Sequence, residues 1–141
     1  MIEPKKRYVL DTNLIVSGTL NENSTSGEAF AKARSGGIIL QSSATLAKLE
    51  EVLSRKKFEK YLSIEKRIEF LQIFRNHVLM IEPKTQITAC RDVKDNKFLE
   101  LAIDGGAHLI ISGDNDLLTL HPFQSIPILN PRAFLDQKDE A

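Results

Sequence analysis

The chain carries Tyr8-Val9-Leu10-Asp11-Thr12-Asn13 near its start and His108-Leu109-Ile110-Ile111-Ser112-Gly113-Asp114-Asn115-Asp116 near its end. In both stretches a short apolar run of strand length stops on a carboxylate, and Asp95 is a third candidate acid between them. Buried strands that stop in this way place their carboxylates at a sheet edge, where they can converge. Two carboxylates about 5 Å apart repel by roughly 3 kcal/mol at an effective dielectric of about 20. Such a cluster needs shared protons or bound cations, and its oxygen ligands favour a divalent metal.

Composition limits the class of protein. The 141 residues fit a single domain, 1–141, that is large enough to bury a core. Lysine plus arginine and aspartate plus glutamate both number 19, so a polyanionic partner has to be held by local basic patches. The single Cys90 excludes an internal disulfide, and no apolar run is long enough for a membrane span or a signal peptide. We therefore expect a cytoplasmic protein with no membrane contact.

Apolar runs of strand length alternate with stretches of helical period, which indicates βα units and a mostly parallel sheet. The predicted strands are residues 8–10, 38–40, 78–81, 109–111 and 126–129, with a polar loop after the first. The first two predicted helices run from a Ser24-Thr25-Ser26 cap to Gly36-Gly37 and from Ser42 or Ser43 to about Leu53. A third starts at Ser63 with Ile64, Ile68 and Leu71 inward, and a fourth runs from an Asp92 cap to Gly105-Gly106. A short helical turn at Leu117-Leu118 and a closing helix from Asn130-Pro131 follow. The expected fold class is α/β, a three-layer α/β/α domain with a parallel sheet of about five strands. Such domains bind ligands beyond the carboxyl ends of their strands, where Asp11 and Asp114 fall.

Five motifs, in order along nearly the whole chain, resemble the PIN domain, and most closely its bacterial branch of VapC-like toxins from toxin-antitoxin systems. In one-letter code they are VLDTN (9–13), VLSRKKF (52–58), RDVKDNKFLELA (91–102), ISGDNDLL (111–118) and ILNPRAFL (128–135). The resemblance implies a ribonuclease that depends on Mg²⁺ or Mn²⁺. It also implies a protein that is often a homodimer and is often held inactive by an antitoxin protein.

The resemblance also implies the site residues. The residues that match the family's catalytic and metal-binding acids are Asp11, Asp95, Asp114 and Asp116. Asn13 is expected to support the loop after the first strand, and Ser112 to orient a carboxylate or a metal-bound water. Structural roles remain open as alternatives, because Asp11 can cap a turn and the start of a helix stabilises a carboxylate such as Asp95. Since Asp92 fits the helix cap better, Asp95 is expected to face the metal.

One position departs from the family pattern. Relatives of this branch carry a glutamate where alignment places Lys48. At about 100° per residue, Glu51 projects within roughly 60° of position 48, and its side chain leans back toward the helix N-terminus. Glu51 is therefore a candidate substitute for the missing acid, and a solvated helix residue is the alternative. The Lys48 ammonium can either enter the acidic cluster and weaken metal binding or turn outward to contact an RNA phosphate.

Two basic groups are candidates for contact with RNA phosphates, and a solvated helix face is the alternative for both. They comprise Arg55, Lys56, Lys57 and Lys60, and Arg91, Lys94 and Lys97.

Two functions compete: a metal-dependent endoribonuclease, or a catalytically weakened PIN fold that binds RNA or a protein partner without cleavage. A phosphatase of similar fold is a more distant alternative, because it would need an Asp-x-Asp after the first strand. Asp11-Thr12-Asn13 lacks the second acid.

Overall fold

The computed structural model describes residues 5–137, so the predicted domain bounds of 1–141 reach beyond it at both ends. Its five strands form one parallel sheet in the order β3-β2-β1-β4-β5. The strands are β1 (Lys6–Leu10), β2 (Gly37–Gln41), β3 (Val78–Met80), β4 (Leu109–Ile111) and β5 (Ile128–Leu129). The expected α/β class and the sheet of about five parallel strands are confirmed.

Within residues 5–137, seven α-helices connect and flank these strands. They are α1 (Thr12–Leu20), α2 (Thr25–Gly36), α3 (Ser43–Leu53), α4 (Ile64–Arg75), α5 (Asn96–Gly105), α6 (Asn115–Leu118) and α7 (Pro131–Asp136). Two 3₁₀ turns, Lys56–Phe58 and Val93–Asp95, precede α4 and α5. The predicted caps Ser24, Ser42 and Ser63 each accept a hydrogen bond from the first turn of their helix. No helix within residues 5–137 has the length and apolar character needed to cross a bilayer.

The alternating side chains of β1 show why the sheet is covered on both faces. Tyr8 and Leu10 belong to an apolar cluster with residues of α1, α2, α3, α4 and α7. Val9 belongs to a second cluster with residues of α5 and α6. Since successive side chains of a strand point to opposite faces, the two clusters lie on opposite sides of the sheet. The result is the three-layer arrangement that the sequence predicted.

The predicted polar loop after β1 is wrong in part, because residues 12–20 form helix α1. Asp11 caps this helix by accepting a hydrogen bond from the Leu14 backbone N–H at 2.8 Å. Leu14, Ile15 and Val16 are buried against the first apolar cluster. Their burial stabilises a helix whose threonine, asparagine, serine and glycine residues give little intrinsic preference for one.

The expected inward stripe of α4 is also partly wrong. Ile68, predicted to face the core, is 49% exposed, whereas the neighbouring Arg67 is only 2% exposed. The Arg67 guanidinium binds backbone carbonyl groups of the α3–α4 connection, so polar partners rather than apolar packing select this face. Helical periodicity alone cannot identify such a buried cation. The last strand is likewise shorter than predicted, because Ile126 pairs with Phe123 in an isolated antiparallel bridge.

Candidate active site

Four aspartates lie at the carboxyl edge of the sheet because of how β1, β4 and α5 are connected. Asp11 follows β1 directly, and its backbone N–H donates to the Ile111 carbonyl of β4 at 3.1 Å. Asp114 caps α6 after β4, and Asp116 is in the first turn of that helix. Asp95 ends the 3₁₀ turn that leads into α5. The four acids thus come from three segments that are distant in sequence.

Asp11 is the most buried of the four acids, with 6% of its surface exposed. One carboxylate oxygen accepts the Leu14 backbone N–H, and the other accepts the Ser112 hydroxyl. Burial raises the pKa of the Asp11 carboxyl group, and these hydrogen bonds act in the opposite direction. The Ser112 hydroxyl oxygen also accepts the Asp114 backbone N–H at 2.9 Å. Ser112 therefore connects the ends of the two central strands and fixes the orientation of Asp11.

The other three acids form a tighter cluster. Asp95, Asp114 and Asp116 each offer a carboxylate oxygen, and these oxygens lie within 4.8 Å of one another. The Oδ1 atom of Asp114 also accepts the Asp116 backbone N–H at 2.9 Å. Oδ2 of Asp95 is buried and accepts no hydrogen bond from any residue between 5 and 137. A buried carboxylate oxygen without a donor, beside two further carboxylates, fits a hard divalent cation with oxygen ligands.

Burial and the nearby carboxylates raise the pKa values of Asp95 and of its neighbour Cys90. Burial, a proton shared with the Asp114 carboxyl group, and repulsion from Asp114, Asp92 and Asp116 raise the pKa of Asp95 to about 7. The buried Cys90 thiol is affected by the same acids, because burial and then the repulsion of Asp95 raise its pKa to about 11. Cys90 is therefore kept as a neutral thiol at physiological pH, and the proton on Asp95 relieves part of the repulsion.

A cavity of about 290 Å³ opens over this edge of the sheet. Its charged lining residues are the acids Asp11, Asp92, Asp95 and Asp114 and the bases Lys48, Arg55, Lys94 and Lys97. Burial, followed by the positive charge of Lys48, lowers the pKa of Lys97. Bases from α3, α5 and the segments next to them thus line the same cavity as the acids, which suits a site that binds both a cation and a phosphate group.

The structure brings some of the predicted residues to this cavity and leaves others outside it. Asn13 lines the cavity beside Asp11, as do three of the predicted RNA contacts, Arg55, Lys94 and Lys97. Lys56 and Lys57 do not line it, and the Lys57 ammonium lies 5.1 Å from the centre of the Phe58 ring. Asp116 contributes to the acidic cluster while also forming an ion pair with Arg91 at 3.2 Å.

Glu51, the candidate substitute for the missing acid, does not line the cavity. Its side chain is 56% exposed and pairs with Arg55, one helical turn further along, at 3.0 Å. Lys48 does line the cavity, so the position expected to hold an acid carries a cation there. The structure therefore gives Glu51 a local ion-pairing partner in place of a metal.

Asp92 lines the cavity, a position that the sequence did not predict for it. Asp92 does cap the 3₁₀ turn, by accepting the Lys94 backbone N–H at 3.0 Å, and α5 itself begins only at Asn96. Because side chains three residues apart in a 3₁₀ turn share a face, the spacing of Asp92 and Asp95 was a usable signal. Asp95 makes no helix-capping hydrogen bond.

This geometry places the chain among parallel α/β domains with an acidic site at the carboxyl edge of the sheet. The PIN domain family matches residues 7–116, a stretch that contains all four acids. An uncharacterized protein of Methanocaldococcus jannaschii, MJ1680, is 34% identical over 120 residues, which cover 82% of this chain and 76% of the relative. The chain therefore belongs to the PIN domain family.

Solved structures share the fold at low sequence identity. VapBC2 from Rickettsia felis, bound to a DNA fragment from its promoter, has a chain that is 20% identical, with a TM-score of 0.55 and coverage of 88% of this chain and 98% of that one. VapBC-1 from nontypeable Haemophilus influenzae is 15% identical, with a TM-score of 0.58 and coverage of 89% and 98%. PAE2754 from Pyrobaculum aerophilum is 13% identical, with a TM-score of 0.59 and coverage of 92% and 87%. These likenesses extend over most of each chain and support the assignment of the fold.

Proposed function

We propose that this protein is a divalent-metal-dependent endoribonuclease and the toxin of a toxin-antitoxin pair. The observation that carries the proposal is the Asp95 carboxylate. Its buried Oδ2 accepts no hydrogen bond from residues 5–137, and one of its oxygens lies within 4.8 Å of carboxylate oxygens of Asp114 and Asp116. Membership of the PIN domain family supports nuclease chemistry, and the VapBC neighbours support the toxin role.

Asp95, Asp114 and Asp116 would hold Mg²⁺ or Mn²⁺ through their carboxylate oxygens. When bound, the ion polarises a phosphoryl oxygen and lowers the pKa of an attacking water. Asp11 is oriented by Ser112 and adds negative charge to the same cavity. With a pKa of about 7, Asp95 is only partly ionised at neutral pH, and a bound cation would favour its ionised form.

The basic side chains around the cavity would hold the scissile phosphate. Lys48 and Lys97 project into the cavity from α3 and α5, and Arg55 lies at the end of α3. Phosphate contacts of this kind position a nucleic acid without reading its sequence. The sequence preference of cleavage, where there is one, must therefore come from contacts outside this cavity.

Cleavage of labelled RNA in Mg²⁺ or Mn²⁺ tests the proposal. Asp95→Asn removes a cluster carboxylate at nearly constant volume and is expected to reduce the rate by more than about 100-fold, since even residues that only support metal ligands contribute roughly 10–100-fold. Asp136→Asn, an exposed aspartate on α7, is the matched control and should cleave like the wild type. Cleavage that survives EDTA, or that persists in Asp95→Asn, would contradict the assignment.

A second candidate function is a PIN fold that binds RNA or a protein partner without cutting. Lys48 favours it, because an ammonium group lines the cavity where the family pattern has an acid. RNA binding with no cleavage in Mg²⁺, Mn²⁺ or Co²⁺, together with cleavage by Lys48→Glu, would select this alternative. Cleavage by the wild-type protein would exclude it.

We also propose an antitoxin partner, a homodimeric state and a cytoplasmic location. The VapBC complexes with a similar fold support the antitoxin partner. Light scattering on the purified protein, alone and after co-expression with the product of an adjacent gene, tests the first two. A monomeric mass in both samples would contradict them.

A further inference from the structure

Residues 81–92, between β3 and the 3₁₀ turn before α5, form no helix or strand, yet this segment is firmly attached to α5. Three polar side chains lie at four-residue spacing on one face of α5. They accept hydrogen bonds from backbone N–H groups of the segment between β3 and α5. Asp104 accepts those of Lys84 at 2.6 Å and Thr85 at 2.8 Å. Toward the N-terminus of α5, Glu100 accepts the Ile87 N–H at 3.0 Å and Asn96 accepts the Cys90 N–H at 2.9 Å. Residues 84–90 are thereby held along almost the full length of α5.

This attachment leaves an open groove, of about 520 Å³, between the connection and the N-terminal half of α5. On one side, the exposed residues Lys84, Gln86 and Thr88 line it. On the other side, Lys94 and Lys97 line it together with Val93, whose side chain is 77% exposed. Its charged lining residues are three lysines and one glutamate, Glu100, so its net charge is positive.

The groove is continuous with the acidic cavity. Lys94 and Lys97 line both, so lysine side chains extend from the acids at the sheet edge to Lys84. The Lys97 ammonium also donates to the Lys94 carbonyl at 2.7 Å and lies 5.6 Å from the centre of the Phe98 ring. Arg55, another base of the cavity, is paired with Glu51.

We propose that this groove binds the single-stranded RNA that flanks the scissile phosphodiester. The inference rests on the proposed nuclease function and adds to it a direction for the strand, away from the acids and toward Lys84. Lys84 contacts a phosphate at least one nucleotide from the cleavage site, and the hydroxyl and amide groups of Thr88 and Gln86 lie within the same groove for backbone contacts. Val93 provides an apolar surface for one base. Because its lining offers lysine charge and general polar groups, the groove binds with little sequence discrimination.

Fluorescence anisotropy with labelled RNA tests the groove, using the Asp95→Asn protein in Mg²⁺ so that binding is measured without cleavage. Lys84→Gln removes one positive charge from an exposed side chain and leaves the Asp104 contacts of the backbone in place. It should lower the slope of log Kd against log salt by about 0.7, the value for one phosphate contact on a single strand. Lys66→Gln, an exposed lysine on α4 that lines neither the groove nor the acidic cavity, is the matched control and should leave the slope unchanged.

RNA length provides a second readout. Affinity should rise between oligonucleotides of about 4 and about 12 nucleotides, and Lys84→Gln should remove much of that gain. An unchanged salt slope and length dependence in Lys84→Gln, while wild-type cleavage still requires metal and Asp95, would overturn the groove and leave the nuclease proposal standing. A protein that neither binds nor cleaves RNA would overturn both.

Discussion

Replacing Arg67 by methionine should be among the most destabilising single changes outside the apolar core. The Arg67 side chain is 2% exposed, and its guanidinium donates to three backbone carbonyl groups. The acceptors are Leu62 at 2.9 Å, Leu53 at 2.6 Å and Arg55 at 3.2 Å. It also pairs with Glu59 at 2.6 Å. One side chain thus holds the connection from the end of α3 to the start of α4.

The loss in the free energy of unfolding depends on which partners of Arg67 can bind water once the guanidinium is gone. Methionine fills a similar volume, so the main loss is three hydrogen bonds to carbonyl groups, at about 1 kcal/mol each. Glu59 is 55% exposed and returns to water, so its ion pair contributes less than about 1 kcal/mol. We expect Arg67→Met to cost about 3 kcal/mol, a large share of the ~5–15 kcal/mol typical of a domain. Glu59→Gln should cost less than about 1 kcal/mol.

Urea unfolding followed by circular dichroism measures both changes. With a denaturant slope of about 1–3 kcal/mol per molar, Arg67→Met should lower the midpoint by roughly 1–3 M. Glu59→Gln is the matched control, because it removes the ion pair and retains the buried guanidinium with its carbonyl partners. A cost below about 1 kcal/mol for Arg67→Met would contradict the stabilising role of this side chain and would indicate that the buried methionine compensates for the lost cation. Equal costs for the two variants would refute it as well, by assigning the effect to the exposed pair.

Three further predictions concern the acidic site. Burial and neighbouring acids raise the pKa of Asp95 to about 7 in the folded protein, above its value of about 4 in an unfolded chain. Between these two pH values, and without divalent cations, the folded state holds a proton that the unfolded state releases. The stability of the fold should therefore fall as pH rises from about 4 through 7. Thermal melting in EDTA should therefore find Asp95→Asn more stable than the wild type at pH 8 but not at pH 4, and a difference independent of pH would contradict this. Lys48→Glu should bind Mn²⁺ more tightly in isothermal titration, because it replaces a cation with an acid in the cavity, and equal affinities would count against that role. Asp11→Ala should lose about 1 kcal/mol more stability in urea than Asp11→Asn, since asparagine can still cap α1, and equal losses would show that the cap contributes little.

The convergence of the acids could be predicted from the sequence because it follows from parallel strands. Once β1 and β4 are neighbours in one sheet, Leu10 pairs with Ile111, and the residues that follow them meet at one edge. Asp11 and Asp114 are therefore placed by strand geometry, with little dependence on side-chain packing. The position of Asp95 depends on the turn before α5, and the family resemblance supplied the expectation that it binds a metal.

The features that could not be predicted depend on tertiary contacts. Helix α1 is stabilised by burial of its apolar residues, a property of the core that its local sequence does not reveal. Arg67 is buried because carbonyl groups of another segment surround it. Glu51 has the helical phase to approach the site, yet Arg55 is within reach one turn away and binds it. Periodicity gives the direction of a side chain, and the available partners decide what it contacts.

The repulsion expected between converging carboxylates is met in this fold by more than one kind of positive charge. With a pKa of about 7, Asp95 is partly protonated near neutral pH, and Lys48, Arg55, Lys94 and Lys97 line the same cavity. The cluster can therefore exist without a metal, with the proton in the role of the cation. A divalent ion that binds must displace this proton, so metal binding should strengthen as pH rises toward 7. It must also overcome the positive charge of Lys48, so binding should be weaker than in a relative with a glutamate at position 48. The proton and the basic side chains that offset the repulsion between the carboxylates are thus expected to limit the affinity for the metal as well.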